Sequence, residues 1–467
     1  MQHYDVIVIG AGSGNNIVDE EYADLKVALV EQGLFGGTCI NVGCIPTKMF
    51  VYPADVAVDA ADGPRLGVHT EAHGADWPAI RDRIFGRIDA IEVAGRRYRV
   101  ESPLSDTYLG SARFTGPKQL TITLPDGSEC DISGDQIVLA AGTRPVVPPV
   151  PGLAEVGFHT SDTIMRLEEL PQRLGIIGGG FVGCEFAHVF AAFGVQVTQV
   201  HSHDVLLNHH DRAISQAFTE QAERRWALHL DSLLVAARLT ATGIDLDVRD
   251  EDGTHTTFEV DAVLVAVGRT ANTDRLDVAA AGVALDDFAL VVVDEHQATN
   301  VPGIWALGDI CSTPALKHVA NREARVVRHN VLHPDDLISA DHRFVPSAVF
   351  THPQIASVGL TEAEALAAGL DFVTFTQAYG DTAYGWAMED TGHFVKLIGE
   401  RDTGLLVGAH LIGPQAASLI QPLIQAMSFG QPVAGLASEQ YWIHPALSEV
   451  VENALLGLEK QMAPAPN

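Results

Sequence analysis

The chain opens on Tyr4 to Ile9, where Asp5 gives way to an unbroken run of Val and Ile that stops at Gly10 and is followed by Gly12 and Gly14. Apolar residues without polar alternation predict a parallel strand buried on both faces. A second such run, Val27 to Val30, ends on Glu31. The pattern returns in mid-chain, where Leu174 to Ile177 lead into Gly178, Gly180 and Gly183, then a helical stretch through Phe193 and a strand from Val195 to Val200. From about Ser347 the style changes. Strands such as Val395 to Ile398 and Val407 to Ile412 and a helix from Ser418 to Phe429 follow without any glycine loop, predicting a separate α+β domain.

Each glycine loop sits between a strand and a helical stretch, as in a dinucleotide-binding fold. Gly10 lets the chain turn sharply, Gly12 lets the backbone approach a pyrophosphate, and Glu31 can accept from a ribose diol. The third glycine of G-x-G-x-x-G would fall at Asn15, so packing there is looser unless Gly14 does that work. Two units imply two dinucleotides. Ala140 to Pro145 and Ala266 to Arg269 each end a strand in a small-residue turn, suiting crossings between domains, and the Pro-rich stretch from Pro145 to Pro151 reads as a linker. The expected fold is α/β, with two Rossmann-like domains and a C-terminal α+β domain. Residues 1–147 and 270–345 form the first Rossmann-like domain, 148–269 the second and 346–467 the third.

The 467 residues are enough for about three domains of ~150 each. Lys plus Arg number 29 against 60 Asp plus Glu, a formal charge of -31, which repels nucleic acid and anionic lipid surfaces. No apolar stretch reaches the ~20 residues of a membrane span. Five cysteines with one close pair do not make a secreted disulfide framework, so a reducing, cytoplasmic setting is expected. Clustered His201, His203, His209 and His210 match no zinc spacing, and no metal is expected.

The close pair carries the chemistry. Gly36-Gly37-Thr38-Cys39-Ile40-Asn41-Val42-Gly43-Cys44-Ile45-Pro46-Thr47-Lys48 resembles the redox-disulfide segment of the class I pyridine nucleotide-disulfide oxidoreductases, and Ile304-Trp305-Ala306-Leu307-Gly308-Asp309 resembles their second FAD-binding segment. Phe181 to Phe190, Tyr384 to Asp390 and Gln421 to Gly430 look most like the branch of that family that reduces mycothiol disulfide.

The resemblance implies FAD and NADPH as cofactors, and a homodimer whose C-terminal dimerisation domain completes its partner's active site. Cys44 is then the flavin-proximal sulfur and Cys39 the thiol that attacks a small-molecule disulfide. Lys48 pairs with Glu185 beside the flavin, His444 moves the proton and Glu449 orients its imidazole. FAD falls to Gly10, Gly12, Gly14, Glu31, Thr38, Gly142 and Asp309. NADP falls to Gly178, Gly180, Gly183, His201, Ser202, His203 and Gly268.

NAD-specific members carry a Glu where this chain has His201, and NADPH-specific members carry arginines where it has Ser202 and Asn208. With His201, Ser202, His203 and Arg212 as the remaining donors, NADPH preference should be weak and fade between about pH 6 and 8, the range in which free imidazole loses its proton. The helix expected after the first glycine loop carries Ile17-Val18-Asp19-Glu20-Glu21, acidic where glutathione reductases place arginines, so an uncharged substrate is favoured, with Tyr441 and Trp442 as walls. Dihydrolipoamide dehydrogenase is the rival enzyme, and a non-catalytic FAD scaffold or redox sensor the rival of another class. Mercuric reductase and high-molecular-weight thioredoxin reductase need cysteines near the C-terminus, and none follows Cys311.

Overall fold

In the computed structural model, which describes residues 1–71 and 73–463, Gln2–Ile9 is a central strand flanked in parallel by Val27–Glu31 and Glu129–Leu139. Asp106–Leu109 extends the sheet beyond Val27–Glu31, and Ile304–Ala306 adds in parallel to the end of Glu129–Leu139. The register sets Ile9 beside Val30 and Leu139, and Leu139 beside Ala306, so four strands finish on one edge. Gly10, Glu31, Gly142 and Asp309 all follow those carboxyl ends, where open parallel sheets bind ligands.

A second parallel sheet, in the order Ala227–His229, Gln196–Val200, Arg173–Ile177, Ala262–Val265, repeats the arrangement. Its chain leaves and returns through a two-stranded ribbon in which Thr143–Pro145 pairs antiparallel with Arg269–Ala271. A three-stranded antiparallel sheet, Ser232–Leu239, Ile244–Asp250 and His255–Val260, accompanies the second unit, and the C-terminal sheet is five-stranded and antiparallel, with the Ser448–Met462 helix packed on its Phe372–Ala378 and Phe394–Glu400 strands. Buried Val395, Leu397, Leu411, Val451 and Leu455 form the core between them. Among the described residues no helix is long and apolar enough to cross a membrane.

Two expectations are revised, and one left open is decided. The helix after the first glycine loop is absent: two short 3-10 turns, Ser13–Asn16 and Glu20–Tyr22, bridge the strands, because Asp19 accepts from the Glu21 amide and starts a new turn. The tight packing falls to Gly14, where a Cβ would lie 2.8 Å from the Ala140 Cβ and 3.1 Å from Val8. The single helix from Ser418 to Phe429 is two, Ala416–Leu419 and Gln421–Ser428, restarting at Pro422, whose fixed φ suits a first turn.

Candidate active site

Gly36 and Gly37 both have positive φ, at 92° and 63°, and turn the chain into a five-residue helix, Gly37–Asn41, that carries Cys39. A Cβ on Gly37 would stand 2.8 Å from the Gly12 Cα, so the cysteine segment lies directly on the first glycine loop. Gly43 then starts the Cys44–Asp62 helix, which puts Cys44 in its first turn. Both cysteines are free thiols. The Cys44 thiol is lowered to about 7, mainly by the hydrogen bond that Cys39 donates, with the Lys48 charge adding and burial opposing. Cys39, donor in that bond and half-buried, is pushed up. The electrostatics thus divide the pair into one sulfur held as a thiolate and one that needs a base.

Lys48 is one turn beyond Cys44, and its Nζ donates to both oxygens of Glu185, at 2.8 and 2.7 Å. Glu185 is buried in the Phe181–Ala192 helix and also accepts the Phe350 amide at 2.9 Å. Lys48 Nζ stands 4.8 Å from the centroid of the Phe350 ring. One buried carboxylate therefore ties the cysteine helix, the second Rossmann-like unit and the start of the third domain together. It is tolerable there because both oxygens are satisfied by a cation and an amide.

A cavity of about 1270 Å³ runs past these groups and is lined by Gly10, Gly12, Glu31, Thr38, Cys39, Cys44, Lys48, Gly142, Glu185 and Asp309 among others. Glu31 is held at its mouth by the Ala11 amide, 2.6 Å, and the Gly33 amide, 2.7 Å, and burial raises its carboxyl above the ordinary range. Asp309 accepts from Thr143 Oγ1 at 3.2 Å. At Gly10, φ 108°, a Cβ would fall 2.3 Å from the Ala140 carbonyl oxygen, so the backbone cradle exists only with glycine. Cradle, acid and cavity fit FAD, which Gly10, Glu31 and Asp309 would help to hold. Lys317, which sequence reasoning passed over, also lines the cavity. It donates to Ser13 Oγ at 2.8 Å, and burial holds its ammonium below the ordinary range beside both cysteines. No local motif marks it.

The second glycine loop repeats the cradle: a Cβ on Gly178, φ 119°, would meet the Ala266 oxygen at 2.2 Å, one on Gly183 the Gly178 oxygen at 2.3 Å, and Gly180 caps the helix. Gly268 has φ 132°. His201 differs from expectation. It is buried, its Nδ1 accepts the Gly179 amide at 3.1 Å, and burial lowers it, so it is a neutral cap on the loop rather than an imidazolium for a phosphate. Arg212 is committed to Asp204 at 3.0 and 2.5 Å. Ser202 and His203 remain exposed. Among the described residues no group of three or more His, Cys, Asp or Glu is arranged to hold a metal ion.

His444 Nδ1 lies 2.6 Å from Glu449 Oε1, and Glu449 Oε2 accepts the Ala446 amide at 3.2 Å. The His444 side chain is 70% exposed and lies outside the lining of the cavity in its own chain. Tyr441 projects fully, whereas Trp442 packs on the third-domain core and donates to the Ala437 oxygen at 2.9 Å. The acidic stretch is not an open anionic face. Arg328 pairs with Asp19 at 2.6 Å and Glu21 at 2.8 Å, and Arg99 and Arg325 join them around a recess of about 740 Å³ that also presents Asn15, Asn16, Asn321 and Tyr98.

Residues 4–324 match the pyridine nucleotide-disulphide oxidoreductase family and residues 345–455 its dimerisation domain. The chain belongs to this family. It is a flavin-dependent disulfide oxidoreductase that uses FAD and NAD(P)H and works as a homodimer on a small-molecule disulfide. It is 51% identical over 465 residues to mycothione reductase of Mycobacterium tuberculosis, covering 98% of this chain and 100% of that one. Dihydrolipoyl dehydrogenase of Halobacterium salinarum is 33% identical, with 96% and 95% covered. Among solved structures, the Cu(II) complex of the HOCl-induced flavoprotein disulfide reductase RclA from Escherichia coli superposes with a TM-score of 0.85 at 29% identity, covering 98% of this chain and 99% of that one.

Proposed function

We propose that the chain reduces mycothiol disulfide with NADPH in the cytoplasm, and that its third domain runs from residue 346. The observation that carries the substrate is the 51% identity to mycothione reductase across the whole length of both chains. Charge at Asp19 to Glu21 does not carry it, because Asp19 and Glu21 are both paired with Arg328. The amides, guanidinium groups and phenol around the 740 Å³ recess suit a hydroxyl-rich substrate. That recess lies along the Lys317–Leu332 helix, whose first residue, Lys317, lines the cavity of the cysteines.

Gly10, Glu31, Thr38 and Asp309 would hold FAD, which when bound would supply the two-electron link between NADPH and the Cys39–Cys44 disulfide. Lys48 holds positive charge there, and Glu185 holds Lys48. Reduction breaks the Cys39–Cys44 bond and leaves Cys44 as the thiolate and Cys39 as the thiol. Cys39 gives its proton to His444 of the other subunit and attacks one sulfur of the substrate. A mixed disulfide forms, and the first mycothiol leaves with the proton from His444. Cys44 then attacks Cys39 Sγ, restoring the internal disulfide and releasing the second mycothiol with a proton from solvent. Glu449 fixes the ring by accepting from Nδ1, which leaves Nε2 to move the proton.

Rates on mycothiol, glutathione, trypanothione and lipoamide disulfides under one set of conditions test this reading. Mycothiol disulfide is expected to exceed glutathione by ~10²-fold or more in kcat/KM, the scale on which a site built for substrate hydroxyls discriminates. Faster turnover of lipoamide or glutathione disulfide overturns the substrate.

A further inference from the structure

Beneath the Lys48–Glu185 pair the same two helices meet at a second polar contact, which no step above uses. Asp55 lies two turns beyond Lys48 on the cysteine helix, and His188 one turn beyond Glu185 on its neighbour. His188 is fully buried, its Nε2 is 2.8 Å from Asp55 Oδ1, and its Nδ1 is 2.9 Å from Arg225 Nη2. A guanidinium has no acceptor, so Nδ1 must accept and Nε2 must carry the proton that is donated to Asp55. Burial holds the imidazole below its ordinary range, in this neutral tautomer. Arg225, half-buried and pulled down to about 10 by desolvation, spends another donor on the His352 carbonyl oxygen at 2.7 Å. The guanidinium thus reaches the Asp55 carboxylate through the His188 ring.

The two contacts have a common plan. Glu185 receives Lys48 from the cysteine helix and the Phe350 amide from the third domain, while His188 donates to Asp55 of the cysteine helix and is held by Arg225, which grips His352. The polarity is reversed between them, with the cation side on the cysteine helix in one and the acid side in the other. A slip of either helix past the other would bring like groups together and leave a buried donor or acceptor unpaired, which is costly.

We propose that His188 is a positioning residue of this active site: by joining Asp55 to Arg225 it fixes the register of the two helices and so aims Lys48 at Glu185 beside Cys44. The proposal rests on the reading of Cys39 and Cys44 as the redox pair. The groups that face Cys44 are Cys39, Lys48 and Glu185, with Lys317 from the far side of the cavity, and of these only Lys48 and Glu185 sit on the two helices that His188 joins, so displacement of Lys48 is read in the ionisation of Cys44.

The test uses Asp55→Ala and Asp55→Asn in the FAD-loaded dimer. Asp55 is a quarter exposed on a helix, where alanine is well tolerated. In two-electron-reduced enzyme, the long-wavelength absorbance of a thiolate lying against the flavin is titrated with pH, alongside melting temperature and disulfide turnover. Asp55→Ala is expected to raise the midpoint by about one pH unit and to slow turnover about tenfold, as a shifted charge partner does. Asp55→Asn still accepts the Nε2–H bond and restores both to within about twofold. A midpoint in Asp55→Ala equal to that of the unaltered enzyme, with only a lower melting temperature, overturns the positioning role. So does an equal shift in both variants, which would make the carboxylate's charge the cause. Absence of the band in the unaltered enzyme overturns the redox reading of Cys44, and the proposal with it.

Discussion

His201 stands to Gly179 as Glu31 stands to Ala11. In each Rossmann-like unit the amide of the middle residue of the glycine loop donates to a side chain at the carboxyl end of the second strand, at 2.6 Å to Glu31 Oε2 and 3.1 Å to His201 Nδ1. The first unit therefore offers a carboxylate at this position, and the second a neutral ring. NAD-type recognition needs the acceptor that only the first unit has.

His201→Glu is accordingly expected to move coenzyme preference toward NADH by about tenfold or more, the scale of a hydrogen bond to a charged group. Because burial keeps His201 neutral and the Gly179 amide occupies Nδ1, with His203, His209 and Asp231 as its charged or titratable neighbours, its titration does not govern the preference. The kcat/KM ratio of NADPH to NADH should hold within about twofold from pH 7 to 8.5, rather than fade as an imidazolium contact would. Steady-state rates with both coenzymes across that range decide it. A ratio unchanged by His201→Glu shows that another side chain reads the ribose.

Cys39→Ser should retain flavin and NADPH oxidation by artificial acceptors while disulfide turnover disappears, since the attacking sulfur is gone and the hydride path is not. Paired assays with a quinone and with mycothiol disulfide give the answer. Normal disulfide turnover would transfer the attack to another residue.

His444→Ala should lower disulfide turnover by ~10²-fold or more, with reduction of the enzyme by NADPH unaffected. Glu449→Gln should do the same more mildly, because an amide still holds Nδ1 but does not stabilise the imidazolium. Stopped-flow reduction set against steady-state rate separates the two half-reactions. If His444 serves the other subunit as proposed, mixing His444→Ala with Cys39→Ser subunits should restore about one active site per heterodimer.

The depressed thiol of Cys44 sets a pH limit. Its folded value of about 7 lies below that of a free thiol, so the thiolate is present above pH 7 and is lost as pH falls through it. The long-wavelength absorbance of two-electron-reduced enzyme should fall to about half near pH 7. A midpoint near that of a free thiol would show that Lys48 and Cys39 do not act on this sulfur.

With a formal charge of -31, self-repulsion should weaken the fold at low ionic strength. Melting temperature is expected to rise by several degrees between ~0.02 and ~0.5 M NaCl, followed by calorimetry. A flat response would mean that the acids are paired locally throughout, as Asp19 and Glu21 are by Arg328.

The fold was legible in the chain wherever neighbours in sequence decide structure. Apolar runs ending in glycine make parallel strands with cradles, Cys39 and Cys44 share one short segment, and Glu449 is five residues from His444 and meets it within a turn. Those contacts need little beyond local chain geometry and periodicity. The tertiary structure alone decided what depends on groups far apart in the chain. It set Glu185 on Lys48 together with the Phe350 amide, and joined Asp55, His188 and Arg225. It also brought Lys317 to the cysteines, paired Arg328 with the acids after the first glycine loop, and buried His201 as a neutral cap. The physical reason is that charge and tautomer are set by burial and by the partners a group meets in space, and a linear pattern of residue types specifies neither.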